Sequence, residues 1–341
     1  MTKRIGFACK WIDHPEQVNG IGPKDDAKQY NTGSTTVAWL NRQTKDVAVQ
    51  KLWDLMTQNI ESTRKLVERV GNLDESLRMV RLSSDLLPVY TQSDWSWFWR
   101  QTDVRAYAEK HFGQVGSLAR DRNVRLSFHP GQFTVLASDS EGIVQRSIEE
   151  FEYHTDMARW MGYGKTFQDF KINVHISGRQ GPEGIRKTYG KLSSEARNCI
   201  TIENEENSWG LNDCLDLGDI LPIVLDIHHH WIREGEYIEP NDSRVIRVIE
   251  SWRDLRPTLH YSISREDVLV DHDNLSMPDH KLLLESGYKK QKLRAHSDFY
   301  WNTAVNKWAL SFNNQFDIMC ESKGKNIASF ALYEQSKITA S

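Results

Sequence analysis

Along this 341-residue chain, imidazoles and carboxylates recur at the ends of short apolar runs. His129 closes 125–129, His175 lies in 171–176, Glu203 closes 199–203, Asp226 closes 223–226, His260 lies in 258–262 and Glu321 closes 317–321. These are borderline to hard donors, the set that suits Zn, Mn, Fe or Co. Any one alone reads as an ordinary polar strand terminus. Six in succession read differently, because a buried carboxylate or imidazole without a partner costs several kcal/mol. Packed on one rim they need mutual salt bridges or metal ions. A catalytic zinc needs only three protein ligands and a water, so the surplus of donors predicts a centre with more than one ion. Asp226 is followed by His228, His229 and His230. Strand alternation would place His229 on the opposite face from Asp226. If the strand ends at Asp226 and the chain turns, His229 returns to the rim and pairs with the carboxylate. His228 and His230 then pack or support the ligands.

The elements that must deliver these groups follow from hydrophobic period. Eight short β-branched or apolar runs, 4–8, 79–83, 125–129, 171–176, 199–203, 223–226, 258–262 and 317–321, alternate with amphipathic stretches. In 47–70, Val49, Leu52, Leu55, Met56, Ile60, Leu66 and Val67 fall near one helical face, and 144–160 is patterned similarly. This alternation predicts an α/β fold, a (β/α)8 TIM barrel, whose active site lies at the C-terminal ends of the strands. With no linker tract or repeat, 1–341 reads as a single barrel domain. Segments 15–36 and 265–294 read as long irregular loops, which in compact domains are usually functional.

Composition narrows the class. Hydrophobic residues make up 39% and charged residues 26% of the chain, and mean hydropathy is -0.61, the values of a globular chain without membrane spans. Charges near Met1 interrupt any secretory apolar segment, so an intracellular protein, cytoplasmic or nucleoid-associated and not secreted, is expected. The four cysteines, Cys9, Cys199, Cys214 and Cys320, form no CxxC pair, which argues against both a disulfide framework and a zinc ribbon. Net charge is -4. A nucleic-acid partner must therefore be met by a local basic patch.

Several segments together resemble the ultraviolet-damage endonucleases, relatives of the endonuclease IV and xylose-isomerase-like barrels. They are RLSFHPGQF at 125–133, IENE at 202–205, LDIHH at 225–229, LHYS at 259–262, RAHSD at 294–298 and DIMCESKGK at 317–325. The resemblance covers most of the chain. It implies a TIM barrel with two or three divalent ions, most often manganese, with Zn, Co or Fe as alternatives. It also implies a nick immediately 5′ to a lesion in double-stranded DNA, leaving a 3′-hydroxyl and a 5′-phosphate. The family's ligands fall on His129, His175, Glu203, Asp226, His229, His260, His296 and Glu321, with Glu203, Asp226 and Glu321 as the catalytic carboxylates. His296 enters through the resemblance alone. The family's pair that probes the bases opposite the lesion falls on Gln132 and Phe133, an amide and a ring suited to hydrogen bonding and stacking with displaced bases. Lys289, Lys290, Lys292 and Arg294 precede His296, and Lys323 and Lys325 follow Glu321. Both runs flank the site and are candidate phosphate contacts. No membrane association is expected, and the protein is expected to act as a monomer.

Two departures from the family stand out. Thr258 stands where relatives carry a lysine, carboxylated beside the metals, two residues before the strand-seven histidine. Water or a supporting carboxylate is expected to fill that space, one ion is expected to bind more weakly than the others, and Thr258→Lys is expected to tighten it. Phe7 and Trp11 fall where relatives place a tyrosine and an asparagine against the lesion, and are expected to stack on a flipped dinucleotide. Two competing readings remain: a metal-dependent sugar isomerase or epimerase on the same barrel, and a DNA-damage binding protein whose metal site has decayed.

Overall fold

The computed structural model describes residues 2–21 and 25–339. Among the described residues, eight parallel strands close into a barrel in chain order: β1 (Ile5–Ala8), β2 (Met79–Arg81), β3 (Arg125–Phe128), β4 (Lys171–His175), β5 (Ile200–Glu203), β6 (Ile223–Asp226), β7 (Thr258–Tyr261) and β8 (Asp317–Cys320). All eight expected runs are strands. Several ladders stop one or two residues short of the sequence reading, so His129 and Glu321 lie just past their strands. β1 pairs with β8 through Ile5↔Ile318, Gly6↔Met319 and Phe7↔Cys320, which closes the ring.

The helices wrap the strands as the 3.6-residue period requires. The helix Lys45–Gly71 starts at Thr44, whose hydroxyl accepts from the Val47 amide, and buries Leu52, Leu55, Met56, Ile60, Leu66 and Val67. The helix Glu141–Trp160 buries Ile148, Phe151 and Met157. The two segments read as irregular loops carry short helices. Residues 15–36 contain Pro15–Asn19 and Asp25–Lys28, and 265–294 contain His280–Glu285 and Lys290–Leu293. In the second segment Asp279 caps the Leu282 amide at 3.0 Å, a local signal that a composition reading overlooks. No helix among the described residues is long and apolar enough to cross a membrane.

The barrel interior is polar at both ends. At the N-terminal end, buried Asp317 accepts from Arg125 Nη1 and Arg256 Nε, each at 2.6 Å, and from the Arg4 amide at 2.9 Å. One carboxylate thus ties together β3, β8 and the chain entering β1 and β7. Near the C-terminal end, Thr201 Oγ1 donates to Asn173 Oδ1 at 2.7 Å, and Asn173 in turn donates to Glu203. Gly178, at φ +101, lets the loop after β4 lie against Ala137 in the loop after β3, where a Cβ would come within 2.4 Å of backbone.

Removing one member of a buried ion cluster strands its partners, at a cost of about 3 to 5 kcal/mol. Asp317→Ala is expected to lower unfolding free energy by about that amount, measured by urea titration. A change below about 1 kcal/mol would show the cluster to be dispensable.

Candidate metal centre

Each ionisable side chain reaches the mouth by strand geometry. Glu203 on β5, Asp226 on β6 and His260 on β7 are fully buried, whereas His129, His175 and Glu321 keep partial exposure. Three overlapping sets of ligand atoms converge: His129 with His175 and Glu203; His129 with His260 and Glu321; and Glu203 with Asp226, His260 and Glu321. Within each set the atoms lie within 4.8 Å of one another. Shared members suit neighbouring ions more than a single one.

His129 Nε2 bonds Glu203 Oε2 at 3.2 Å, while other contacts inside the cluster are close without being aligned as hydrogen bonds. His260 Nδ1 lies 3.1 Å from Glu203 Oε1 and 3.2 Å from Glu321 Oε1. His229 Nδ1 lies 3.6 Å from both Glu203 Oε1 and Asp226 Oδ2. Among the described residues, Glu203 Oε1, Asp226 Oδ2, His175 Nδ1 and His260 Nδ1 are buried with no hydrogen-bond partner. An orphaned buried polar atom carries a desolvation penalty of about 1 to 3 kcal/mol, more when charged, and these four, spread over the overlapping ligand sets, suit a cation. The donor set, imidazole and carboxylate, fits a borderline divalent ion.

The electrostatics carry the same tension. Burial resists ionisation of Glu203, yet the neighbouring His260 and His175 and hydrogen bonding from His129 hold it well below the usual carboxylate range. Asp226 goes the other way, pushed well above that range by burial. Burial opposes charge on His229, but Asp226, Glu203 and Glu206 raise it to about 9. Burial lowers His129, His175 and His296, favouring the neutral imidazole that a metal requires.

Local structure orients the rings. Asp226 is the N-cap of the helix Ile227–Glu234 and accepts from the His229 amide at 2.7 Å, so the chain turns at Asp226 and His229 comes back to the rim. His230 bonds Glu236 at 2.9 Å and His228 stacks on Trp231. Backbone carbonyls hold three of the rings by Nδ1: Pro130 for His129 at 3.0 Å, Asn204 for His229 at 3.0 Å and Glu321 for His296 at 2.8 Å. A carbonyl only accepts, so each of these rings donates from Nδ1, while the Nε2 of His129 faces Glu203 Oε2 at 3.2 Å and that of His229 faces Glu206 Oε2 at 3.7 Å. His296 is brought in by a bridge between its own backbone and Ser264.

The UV-endonuclease UvdE family model matches residues 20–340. The chain belongs to the UvdE family of UV endonucleases. As a member it is a phosphodiester hydrolase acting in DNA repair. It is 25% identical to the UV DNA damage endonuclease of Bacillus cereus strain B4264, over 88% of this chain and 87% of that protein. It is 29% identical to the UV-damage endonuclease of Schizosaccharomyces pombe, over 96% of this chain and 50% of that longer protein. In fold it resembles the crystal structure of SacUVDE, at a TM-score of 0.71 and 20% identity with 98% of this chain and 99% of that chain covered. It also resembles endonuclease IV from Thermus thermophilus, at a TM-score of 0.51 and 12% identity with 81% of this chain and 93% of that chain covered.

In this endonuclease, Gln132 and Phe133 follow His129 closely and are exposed, the Phe133 ring 86% so. Phe7 and Trp11 are not available for stacking on a lesion. Phe7 is 0% and Trp11 3% exposed. Their rings pack on each other and on Phe330, and Arg69 covers Trp11 at 4.5 Å. Between Gly6 and Ala8, Phe7 points away from the barrel axis toward the helix Lys325–Thr339, which is why the alignment misleads. The basic run is exposed, but Arg294 is paired with Glu206 at 2.6 Å, Lys290 bonds the Arg233 carbonyl at 3.1 Å and Lys323 faces Asp298 at 3.3 Å. Lys289 and Lys292 are exposed beside them.

Two cations escape the sequence reading. Arg81, at the end of β2, is hydrogen-bonded to Glu321. It sits where a strand-end search looks, but a search for acids and imidazoles passes over it. Lys171, at the start of β4, sends its ammonium up the barrel interior to within 3.0 Å of His260 Nε2. Burial, offset in part by Glu203, pulls it down to about 7. The space expected to hold water or a carboxylate beside Thr258 is therefore approached by an amine from another strand. Thr258 and His260 share the inward face of β7, so a lysine at 258 would compete with Lys171 for that space. Thr258→Lys alone is expected to lose about 1 to 3 kcal/mol of stability through overpacking, and Lys171→Val to relieve that loss, both read by thermal unfolding. A stable single variant would show that the two side chains do not share a volume.

Proposed function

We propose that this endonuclease uses two or three divalent ions, manganese the best suited, to hydrolyse the phosphodiester immediately 5′ to ultraviolet photoproducts in double-stranded DNA, leaving a 3′-hydroxyl and a 5′-phosphate. The observation that carries the reading is the set of orphaned, buried donor atoms on Glu203, Asp226, His175 and His260. His129, His175, Glu203, Asp226, His229, His260, His296 and Glu321 would hold the ions. Such ions activate the attacking oxygen, neutralise charge building on the phosphoryl group and stabilise the leaving 3′-oxygen.

The chain's own groups do the rest. Glu203 and Glu321, like His129 and His260, each belong to two ligand sets and would contribute to holding neighbouring ions. Arg81 holds Glu321 in place from β2. Exposed Gln132 and Phe133 stand close to His129 in the chain and can enter a duplex whose bases are displaced, the ring stacking and the amide hydrogen bonding. Lys289 and Lys292 flank the cleft and can meet phosphates. The protein acts as a monomer within the cell, where its DNA substrate is found.

Glu203→Gln and Asp226→Asn remove charge with almost no change in volume. Each is expected to abolish nicking of a defined photoproduct duplex while leaving thermal unfolding little changed. The loss should exceed the roughly 10- to 100-fold that removal of an outer partner costs. EDTA should inactivate the protein and Mn restore it better than Mg, because imidazoles suit borderline ions. Near wild-type turnover in either variant, or equal rescue by Mg, would remove the ligand set.

Phe133→Ala and Gln132→Ala should weaken binding to damaged duplex more than to undamaged duplex, by about 1 to 3 kcal/mol for the ring, in fluorescence anisotropy. Equal losses on both duplexes would assign the pair to general contact.

A further inference from the structure

We propose that the N-terminal face of the barrel, opposite the metal centre, carries a binding site for a small phosphate-bearing anion, held by Arg4, Arg120 and Arg125. The site does not depend on the ions at the mouth.

A cavity of about 300 Å³ opens beneath the starts of β1, β3 and β4, with Arg4, Arg120, Asn123, Arg125, Tyr163 and Gln168 in its wall. Small-molecule sites begin at about that volume. Each arginine comes from a different element. Arg4 leads into β1, Arg125 opens β3 and Arg120 lies in the last turn of the helix Thr102–Asp121.

The charges around this cavity do not balance. Asp317 is shared by Arg4, Arg125 and Arg256, so one buried carboxylate faces three guanidiniums. Glu75, exposed and hydrogen-bonded by Thr2 at 3.4 Å, also acts on Arg4, which still leaves one positive charge over. Arg120 adds a further cation. It bonds the Met161 carbonyl at 2.8 Å, lies over the Tyr163 ring at 5.1 Å and makes no ion pair among the described residues. Asp169, the acid in the wall, is engaged by the amides of Gly164, Lys165 and Thr166 at 2.7, 3.0 and 3.2 Å. Burial lowers Arg4 from the ordinary arginine range, Asp317 opposes the shift and Arg125 adds to it. The buried Nε of Arg4 has no hydrogen-bond partner among the described residues. Cations exceed anions here, and donors exceed acceptors.

A guanidinium offers a planar fork of donors that matches phosphate oxygens. A phosphate monoester carries about -1.5 to -2 charges at pH 7, which answers the surplus better than a carboxylate does. Gln168 adds a second feature. Its Nε2 donates to the carbonyls of Asn198 and Ile200 at 3.1 and 2.8 Å, and its buried Oε1 is left as an acceptor without a partner among the described residues. An acceptor beside the arginines suits a hydroxyl carried on the same molecule as the phosphate. Free phosphate and a sugar phosphate share the required chemistry, and the second uses more of the wall.

The test uses the full chain stripped of metal, so that no ion at the mouth takes up the probes. Inorganic phosphate and ribose 5-phosphate are titrated by calorimetry, with acetate as the singly charged control. Both phosphates are expected to bind saturably, and acetate about 10-fold more weakly or worse. Tighter binding of ribose 5-phosphate assigns the site to a monoester, and equal affinity assigns it to the free ion. Arg120→Gln changes an exposed residue outside the Asp317 cluster. It is expected to weaken both phosphates by roughly 10-fold or more, the loss of one charge-assisted hydrogen bond, with nicking in phosphate-free buffer unchanged. Arg4→Gln is expected to act in the same direction, and Arg120→Glu takes its place if that variant does not fold. No saturable binding by the wild type, or wild-type affinity in these variants, overturns the proposal. Binding of an oligonucleotide that depends on Arg120, with neither small probe bound, overturns it as well and makes the face a nucleic-acid surface.

Discussion

Taking a carboxylate out of water costs several kcal/mol after every relaxation the protein can offer, and this barrel buries Glu203 and Asp226 completely at its mouth. Most of the local architecture answers that cost. Asn173 and His129 bond one oxygen of Glu203, the helix beginning at Asp226 offers its His229 amide, and Asn204 and Asp226 exchange backbone and side-chain bonds at 2.9 and 3.0 Å. One oxygen on each carboxylate nevertheless stays unpartnered. Those two atoms, with the unpartnered nitrogens of His175 and His260, mark where the proposed divalent ions would bind.

The barrel makes this arrangement possible because it separates the two tasks of stability and chemistry. At the N-terminal end, Asp317 is neutralised by Arg4, Arg125 and Arg256, all supplied by the protein itself. At the C-terminal end, Arg81 is hydrogen-bonded to Glu321 and Lys171 lies 3.0 Å from His260 Nε2. The carboxylate at the first end is met by the protein's own charges, whereas at the second one oxygen each of Glu203 and Asp226 has no hydrogen-bond partner among the described residues. A mouth completed by ions and rimmed by exposed Gln132 and Phe133 is suited to a phosphodiester in a distorted duplex.

How far the sequence reveals this depends on whether a residue acts through its position in a strand or through a path across the interior. Glu203, Asp226 and His260 are visible because period-2 alternation and the barrel rule put strand-end residues at the mouth. His229 is visible once the strand is seen to stop at Asp226. His296 has no strand to announce it. It follows a long insertion and reaches the site through a bridge to Ser264, so only family resemblance finds it. Lys171 is hidden for the opposite reason, since it starts on the face remote from the chemistry and arrives by the length of its side chain. Phe7 and Trp11 mislead because an aligned aromatic carries no information about facing. Alternation from Gly6 turns Phe7 outward, and Trp11 follows it into the packing around Phe330.

A mouth that binds more than one ion, with Glu203 and His260 between them, is directly visible by anomalous diffraction at the manganese edge, from crystals of the intact protein grown with Mn(II). At least two peaks are predicted among Glu203, Asp226, His260 and Glu321, with His260 facing them through Nδ1. A single peak remote from Glu203, or a cluster whose carboxylates are paired only with protein cations, would contradict it.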